Sequence, residues 1–252
     1  GKLLVALASD LDVSPFSDRW KYFYKHRGWK YLIRDGILTE LFFPFVVKKA
    51  NLVLVQNDYQ LSNTNNSNKV YFGNLIDEGL WNSCEFNWEN SAFVFIGSLD
   101  VRKGFESLAR LVVARPNIEF TIIGKVRDTA TRILLDSLLL LKNVRFLGQL
   151  PHQEVLVELS KAKALISTSP REGFPNIFLE AWAVGTPVIS LSVDPSNSIK
   201  RYNLGVNCEA SFEGLLNALD NFDRKKYSRN SMREYLNNYH SASQLVKLLE
   251  NI

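Results

Sequence analysis

The sequence holds few of the residues from which disulfide and metal sites are made. Its 252 residues include two cysteines, Cys84 and Cys208, and three histidines. Two cysteines give neither a disulfide framework nor a zinc pattern, and His26, His152 and His240 lie too far apart in sequence for a ligand motif. We therefore expect a reducing, cytoplasmic environment and no bound metal.

Long apolar runs and a strong charge of one sign are also missing. No apolar run approaches the ~20 residues that a membrane-spanning helix needs. The 30 Lys and Arg against 26 Asp and Glu give a net charge of +4, which is too small to indicate a nucleic-acid partner. With 46% hydrophobic and 22% charged residues, the chain can bury a core, and its length suits one large domain or two modest ones.

Short apolar runs alternate with longer amphipathic segments along the chain. The runs are continuous, which is typical of parallel strands covered by helices on both faces. Segments between them, such as ESLARLVVARP and HQEVLVELSKA, predict crossover helices. The pattern predicts an α/β protein with doubly wound, Rossmann-like parallel sheets. The predicted strands are LLVALA (3–8), LVLVQ (52–56), KVYFG (69–73), AFVFIG (92–97), IEFTIIG (118–124), VRFLG (144–148), ALISTS (164–169) and PVISLS (187–192).

The stretch DEGLWNSCEFNWENS (77–91) predicts an interdomain linker, because it is rich in Asn, Ser and Glu and lacks periodicity. Three predicted strands precede it and five follow. We predict a partial N-terminal Rossmann-like domain over residues 1–80, a complete one over 91–235, and a C-terminal helix over 236–252 that packs back on the first domain. Strand-like residues follow Gly1 at once, so we expect the N-terminal domain to be incomplete.

The segment FIGSLDVRKGF (95–105) has the features of a phosphate-binding loop. A predicted strand ends at Gly97, where the absence of a side chain allows a ligand close to the backbone. Arg102 and Lys103 bring positive charge to the start of the next helix, at the edge of a parallel sheet where ligands bind. The alternative interpretation is a surface loop with two solvated bases.

A second candidate site lies in REGFPNIFLEAWAVGTPVIS (171–190), where Glu172 and Glu180 are eight positions apart. At most about 12 Å of helical rise separates them, so they do not act on one atom as a dyad. They suit two separated sets of hydroxyls on a long ligand, such as a sugar and a ribose. The alternative is a surface acid followed by a solvated helix acid.

The residues between these two acids predict a tight turn that leads into a helix. Backbone N–H groups at a helix start bind sugar hydroxyls or anions, and proline suits the first helical turn. The residues concerned are Gly173, Phe174, Pro175, Asn176 and Ile177.

Asp10 and Asp12 have the Asp-x-Asp spacing of some metal sites that bind diphosphates. Such a pair is common by chance, and this one precedes Pro15 in a predicted loop away from both candidate sites. We therefore favour a role in the loop over a metal site.

The segment RWKYFYKHRGWKYLIR (19–34) interleaves basic and aromatic residues and contains no acid. This composition suits an anionic membrane interface, where aromatic rings lie at headgroup depth. A helix with a basic solvated face and its aromatics in the core is an equal alternative. Nucleic acid is the least favoured partner, because one short basic patch is weak evidence for nucleic-acid binding.

The succession FIGSLDVRKGFESL, IEFTIIG, VRFLGQLPHQEV and ALISTSPREGFPNIFLEAWAVGTPVIS resembles the C-terminal half of glycosyltransferase family 4. This resemblance covers residues 92 to about 235, and its E-x7-E motif matches Glu172 and Glu180. It implies a GT-B fold, which has two Rossmann-like domains. It also implies retaining transfer of a hexose from a nucleotide-diphosphate sugar, without a cofactor or metal. The acceptor would be a glycan or a lipid-linked sugar of surface polysaccharide or lipopolysaccharide synthesis.

The resemblance also implies roles for individual residues. Glu172 would contact the donor sugar, Glu180 the ribose, and Lys103 the donor phosphate. Gly97, Ser98 and Arg102 would complete the donor-binding loop, together with the turn from Gly173 to Ile177. Members of the family often have arginine where this chain has Ser98, so we expect Arg102 to substitute.

Two further departures from the family pattern are Ala8-Ser9, where many members have histidine, and VDPSNSI (193–199), which replaces a glycine-rich loop. Two alternatives to an active transferase stay open. One is a module that binds a nucleotide sugar without turnover. The other is a sugar-nucleotide epimerase of the same architecture, although the acid and base groups that it needs near the sugar are not evident. Because the acceptor side looks incomplete, we expect this chain alone to bind donor but to transfer poorly.

Overall fold

The computed structural model describes residues 2–7, 10–15, 17, 37–77, 79 and 92–250. The contacts divide the chain into two units, one of Gly1–Asn74 with Glu172–Phe174 and the other of Leu75–Arg171 with Pro175–Ile252. The basic segment 19–34, Ala8, Ser9, Cys84 and most of the predicted linker lie outside the described residues.

The first unit contains a parallel three-stranded sheet with the order β1-β2-β3. All four residues of β2 are buried, as expected for a central strand that is covered on both faces. Its described elements are β1 (Leu4–Ala6), α1 (Ile37–Lys49), β2 (Leu52–Val55), α2 (Asp58–Asn63) and β3 (Lys69–Tyr71). Its apolar core consists of Leu7, Val47, Ala50, Val53 and Val55.

The second unit contains a parallel six-stranded sheet with the order β6-β5-β4-β7-β8-β9. The chain runs outward from β4 to β6, returns to the other side of β4 with β7, and continues outward to β9. The order therefore reverses between β4 and β7, and ligands of doubly wound sheets bind outside the carboxyl ends of the strands at such a reversal. The strands are β4 (Phe93–Ile96), β5 (Phe120–Ile123), β6 (Val144–Gly148), β7 (Leu165–Ser167), β8 (Val188–Ser190) and β9 (Gly205–Asn207).

Three helices of this unit begin with a capping side chain. The Asp128 carboxylate accepts a hydrogen bond from the backbone N–H of Thr131, and the Ser211 and Ser228 hydroxyls accept in the same way from the backbone N–H groups of Gly214 and Ser231. The described helices of this unit are α3 (Phe105–Ala114), α4 (Thr129–Leu138), α5 (His152–Lys161), α6 (Asn176–Ala183), α7 (Ser198–Arg201), α8 (Phe212–Asp220), α9 (Arg229–Tyr239) and α10 (Ala242–Glu250).

The predicted α/β class with parallel sheets is confirmed, and each of the eight predicted strands contains an observed one. The sequence pattern missed β9, because its three residues, Gly205 to Asn207, include only one apolar side chain. Within the described part of the chain, no helix has the length and apolar character needed to cross a membrane.

Candidate functional site

The loop that follows β4 lies at the strand-order reversal of the six-stranded sheet. It runs from Gly97 through a short 3-10 turn at Val101–Lys103 to Gly104, which has the left-handed φ of 68°. The Thr168 hydroxyl, just beyond β7, donates a hydrogen bond to the Lys103 carbonyl at 2.9 Å. This hydrogen bond thus joins the loop after β4 to the start of the loop after β7 at the backbone of Lys103.

Asp100 organises this loop. Its Oδ1 accepts from the backbone N–H groups of Arg102 (2.9 Å) and Lys103 (3.2 Å), and its Oδ2 accepts from Arg102 Nη2 (2.6 Å). Burial by itself raises the pKa of the Asp100 carboxyl, but the Arg102 guanidinium and the two backbone amides outweigh it and lower that pKa. The Arg102 charge is therefore compensated within the loop, although 45% of its side chain is exposed.

The Lys103 side chain lies beside Gly97. A β-carbon placed on Gly97 would be 3.8 Å from Lys103 Cγ, so the aliphatic part of the lysine follows the glycine backbone. On the β5 side, a β-carbon on Gly124 would be only 1.7 Å from the Gly97 carbonyl oxygen. Close contact with Gly124 therefore fixes the position of the Gly97 peptide.

Ser98 contacts a residue that sequence reasoning did not single out. Arg127, in the loop after β5, donates from Nε to Ser98 Oγ at 3.4 Å. The backbone N–H of Arg127 also donates to the Leu99 carbonyl at 3.3 Å. These contacts bring a second arginine, besides Arg102, to the same loop.

Glu180 lies on α6, and 19% of its side chain is exposed. Burial raises the pKa of the Glu180 carboxyl, and His152, at the start of α5, opposes that rise. His152 Nε2 is 3.3 Å from Glu180 Oε1. The sequence showed His152 only as a scattered histidine, because its partner is 28 positions away.

Packing at both ends fixes the helix that carries Glu180. Trp182 is fully buried, and its Nε1 donates to the Leu204 carbonyl at 3.0 Å. Gly185 ends the helix with a left-handed φ of 77°, and its carbonyl accepts from the half-buried Arg224 guanidinium at 2.8 Å. At the other end, Pro175 has an extended ψ of 119° and occupies the N-cap position, directly before the first helical residue, Asn176.

Glu172 and the first two residues of the predicted turn, Gly173 and Phe174, belong to the first unit by their contacts. In that unit the Gly173 carbonyl accepts from Asn57 Nδ2 at 2.9 Å, and the Phe174 carbonyl accepts from Asn74 Nδ2 at 3.0 Å. Gly173 and Phe174 are buried, and Glu172 is half-buried. The two asparagines were not identified from the sequence, because each is more than 95 positions from its partner.

Asp10, half of the Asp-x-Asp pair, takes part in a hydrogen-bond network of the first unit. Its Oδ1 accepts from Asn57 Nδ2 at 2.7 Å and from Gln60 Nε2 at 3.1 Å. Across the residues that the structure describes, no group of three or more His, Cys, Asp and Glu side chains is arranged to bind a metal ion.

The strand order and the loops at its reversal define a Rossmann-like α/β unit of the GT-B type. The family model "Glycosyl transferases group 1" matches residues 84–238, which is more than half of the chain. The chain therefore belongs to this family of glycosyltransferases, and the predicted family resemblance is confirmed.

Curated relatives align with part of the chain. A glycogen synthase of Mycobacterium tuberculosis is 31% identical over 123 residues, which are 46% of this chain and 29% of the synthase. A GDP-mannose-dependent monoacylated α-(1-6)-phosphatidylinositol monomannoside mannosyltransferase of Corynebacterium glutamicum is 32% identical over 102 residues, 35% of this chain and 26% of that enzyme. The chain spans less than a third of either relative.

Among solved structures, HepE of Anabaena, determined in complex with UDP and glucose, superposes with a TM-score of 0.73 at 15% identity. The superposition covers all of this chain and 72% of HepE. At this identity the likeness establishes the shared fold alone.

Proposed function

We propose that the chain contains the donor-binding part of a retaining hexosyltransferase that uses a nucleotide-diphosphate sugar. The observation that carries the proposal is the position of the Lys103 loop at the strand-order reversal of a sheet that belongs to a glycosyltransferase family. Ligands of such sheets bind at this point. The complex of HepE with UDP and glucose supports a donor of this kind.

In this proposal Lys103 acts on the leaving group. The bond between the anomeric carbon and the β-phosphate oxygen breaks, and the acceptor hydroxyl oxygen bonds to the same face of that carbon. The hydroxyl proton moves to the departing phosphate oxygen. The Lys103 ammonium offsets the charge that develops on the diphosphate, an electrostatic effect that often dominates catalysis.

The remaining proposed contacts are divided among three parts of the donor. Gly97, Ser98 and Arg102 contact the diphosphate, and Glu180 accepts hydrogen bonds from the ribose hydroxyls. Glu172 contacts the donor sugar, with the turn residues Gly173, Phe174, Pro175, Asn176 and Ile177. We propose that the Lys103 and Arg102 side chains, with backbone N–H groups of these segments, replace a metal ion as the source of positive charge around the diphosphate.

Donor binding and its pH dependence test the proposal. In calorimetry with UDP-glucose and GDP-mannose, we expect one of the two to bind. Protonation of Glu180 removes a hydrogen-bond acceptor, so affinity falls as the pH drops through the pKa of Glu180, by about tenfold for one lost bond. Because burial raises that pKa, the loss begins at a higher pH than for an ordinary glutamate.

Two variants control for this pH effect. Glu180→Gln keeps an acceptor oxygen but does not titrate, so we expect its acid-side loss to disappear. His152→Gln removes the group that opposes the rise in pKa, so the loss should begin at a still higher pH. If neither donor binds the parent protein, or if Glu180→Gln keeps the same acid-side loss, the donor assignment is wrong.

We further propose that the acceptor is a glycan or a lipid-linked sugar of surface polysaccharide or lipopolysaccharide synthesis. The Corynebacterium glutamicum relative is named for transfer to a phosphatidylinositol mannoside, which supports an acceptor at a membrane. The protein would then act in the cytoplasm at the inner face of the cell membrane.

For the segment 19–34 we propose contact with anionic lipid at that membrane. Near such a surface each Lys or Arg contributes about 1 kcal/mol. Changing its six Lys and Arg residues to Ser should abolish co-sedimentation with phosphatidylserine-containing liposomes. The control replaces six exposed Lys and Arg residues of the second unit. Equal sedimentation of the parent protein and the segment variant would exclude this contact.

A further inference from the structure

Arg127 is an exposed arginine at the carboxyl end of β5, next to the loop that follows β4. Backbone pairing fixes where its main chain lies. Leu99 and Val126 form a parallel bridge, the Leu99 N–H donates to the Lys125 carbonyl at 2.9 Å, and the Arg127 N–H donates to the Leu99 carbonyl at 3.3 Å. The α-carbon of Arg127 is thus tied to the Lys103 loop rather than to a separate surface.

The side chain of Arg127 turns to the same loop. Its Nε donates to Ser98 Oγ at 3.4 Å, and Ser98 directly follows Gly97, along which Lys103 lies. This contact engages Nε. Phosphate oxygens commonly bind to the two terminal nitrogens of a guanidinium in a bidentate arrangement, so the contact with Ser98 is compatible with a phosphate bound to Arg127.

The two arginines near this loop differ in the chemistry of their partners. Arg102 donates to the Asp100 carboxylate at 2.6 Å, so a negative charge already compensates its positive charge. Among the described residues, no carboxylate lies within ion-pair distance of Arg127, and its side chain donates to a neutral hydroxyl, that of Ser98. Its neighbour Asp128 directs its carboxylate to Thr131 at the start of α4. Arg127 therefore keeps more of its attraction for an anion.

We propose that Arg127 is the second cation of the diphosphate site, and that Ser98 positions it. The proposal rests on the proposed function, since the anion is the diphosphate of the donor. Lys103 and Arg127 then contact the diphosphate from the loops after two neighbouring strands, β4 and β5. Arg102 contributes less to the attraction for the diphosphate, because the Asp100 carboxylate already compensates its charge.

Calorimetry with the nucleoside diphosphates UDP and GDP and the matching nucleosides tests this assignment. For the diphosphate that the parent protein binds, we expect Arg127→Gln to weaken binding about tenfold, as for the loss of one charge-assisted contact. Binding of the nucleoside, which lacks phosphate, should not change. Arg102→Gln, the matched control, should weaken diphosphate binding less than Arg127→Gln does.

Ser98→Ala supplies a second readout. If Ser98 acts by positioning Arg127, Ser98→Ala weakens diphosphate binding in the parent background but has a smaller effect in the Arg127→Gln background. Unchanged diphosphate affinity in Arg127→Gln would overturn the assignment, and so would an equal loss for the nucleoside. If Lys103→Met weakens binding while Arg127→Gln does not, the proposed function stands and the role of Arg127 fails.

Discussion

Gly104→Ala is expected to destabilise the second unit by roughly 3–5 kcal/mol, an unusually large effect for one methyl group. Gly104 has a φ of 68°, in the left-handed region that costs other residues about 1–2 kcal/mol. An added β-carbon would also lie 2.0 Å from the Thr168 carbonyl oxygen. The backbones after β4 and β7 must then separate, which breaks the hydrogen bond from Thr168 to Lys103. Urea unfolding measures the change.

Gly148→Ala is a closely matched control for this substitution. Gly148 has nearly the same φ, 69°, but an added β-carbon there would meet no atom within 4 Å. We therefore expect only the conformational cost of about 1–2 kcal/mol. Equal losses of stability in the two variants would show that the contact between Gly104 and Thr168 does not constrain the loop.

Lys103→Met is expected to lower the rate of glycosyl transfer, or of donor hydrolysis, on the order of 10²–10³-fold. Removing one preorganised group that stabilises transition-state charge has an effect of this size. The charge on the diphosphate grows as the sugar departs, so the loss in kcat should exceed the loss in donor affinity. Methionine keeps most of the aliphatic chain that lies beside Gly97, so the loop should keep its conformation. Release of free nucleotide measures the rate.

Lys142→Met is the matched control for Lys103→Met. Lys142 is exposed and precedes β6, so it lies at the amino-terminal ends of the strands, whereas Lys103 follows β4 at their carboxyl ends. We expect its rate to equal that of the parent protein. A Lys103→Met protein that binds donor and turns over at the parent rate would contradict the assigned role.

The sequence predicts the fold well where the signal is local. A strand such as FVFI is a continuous apolar run. The glycine and proline residues at the helix ends determine the backbone conformation of the residues next to them. The three residues of β9 carry no such signal, because their pairing with β8 decides their conformation.

The site is less predictable, because most of its contacts join residues that are far apart in sequence. Lys103 stands in one short motif (95–105), and Glu172 and Glu180 stand in another (171–190). Tertiary structure alone brings the partners of such residues to them. His152 contacts Glu180, and Arg127 contacts Ser98. Asn57 donates to the Gly173 carbonyl from 116 positions away in sequence. Their residue types are common on any surface, so nothing in the sequence pattern distinguishes them.

The reversal of strand order also determines when the site can form as the chain is synthesised. Strands β4, β5 and β6 follow each other in the chain and can pair as each emerges. In contrast, the hydrogen bond from the Thr168 hydroxyl to the Lys103 carbonyl joins residues 65 positions apart, and Thr168 follows β7. Closing so long a loop costs entropy before any contact offsets it. The Lys103 loop therefore reaches its final conformation only after three further helices, α3 to α5, and three strands, β5 to β7, have been synthesised.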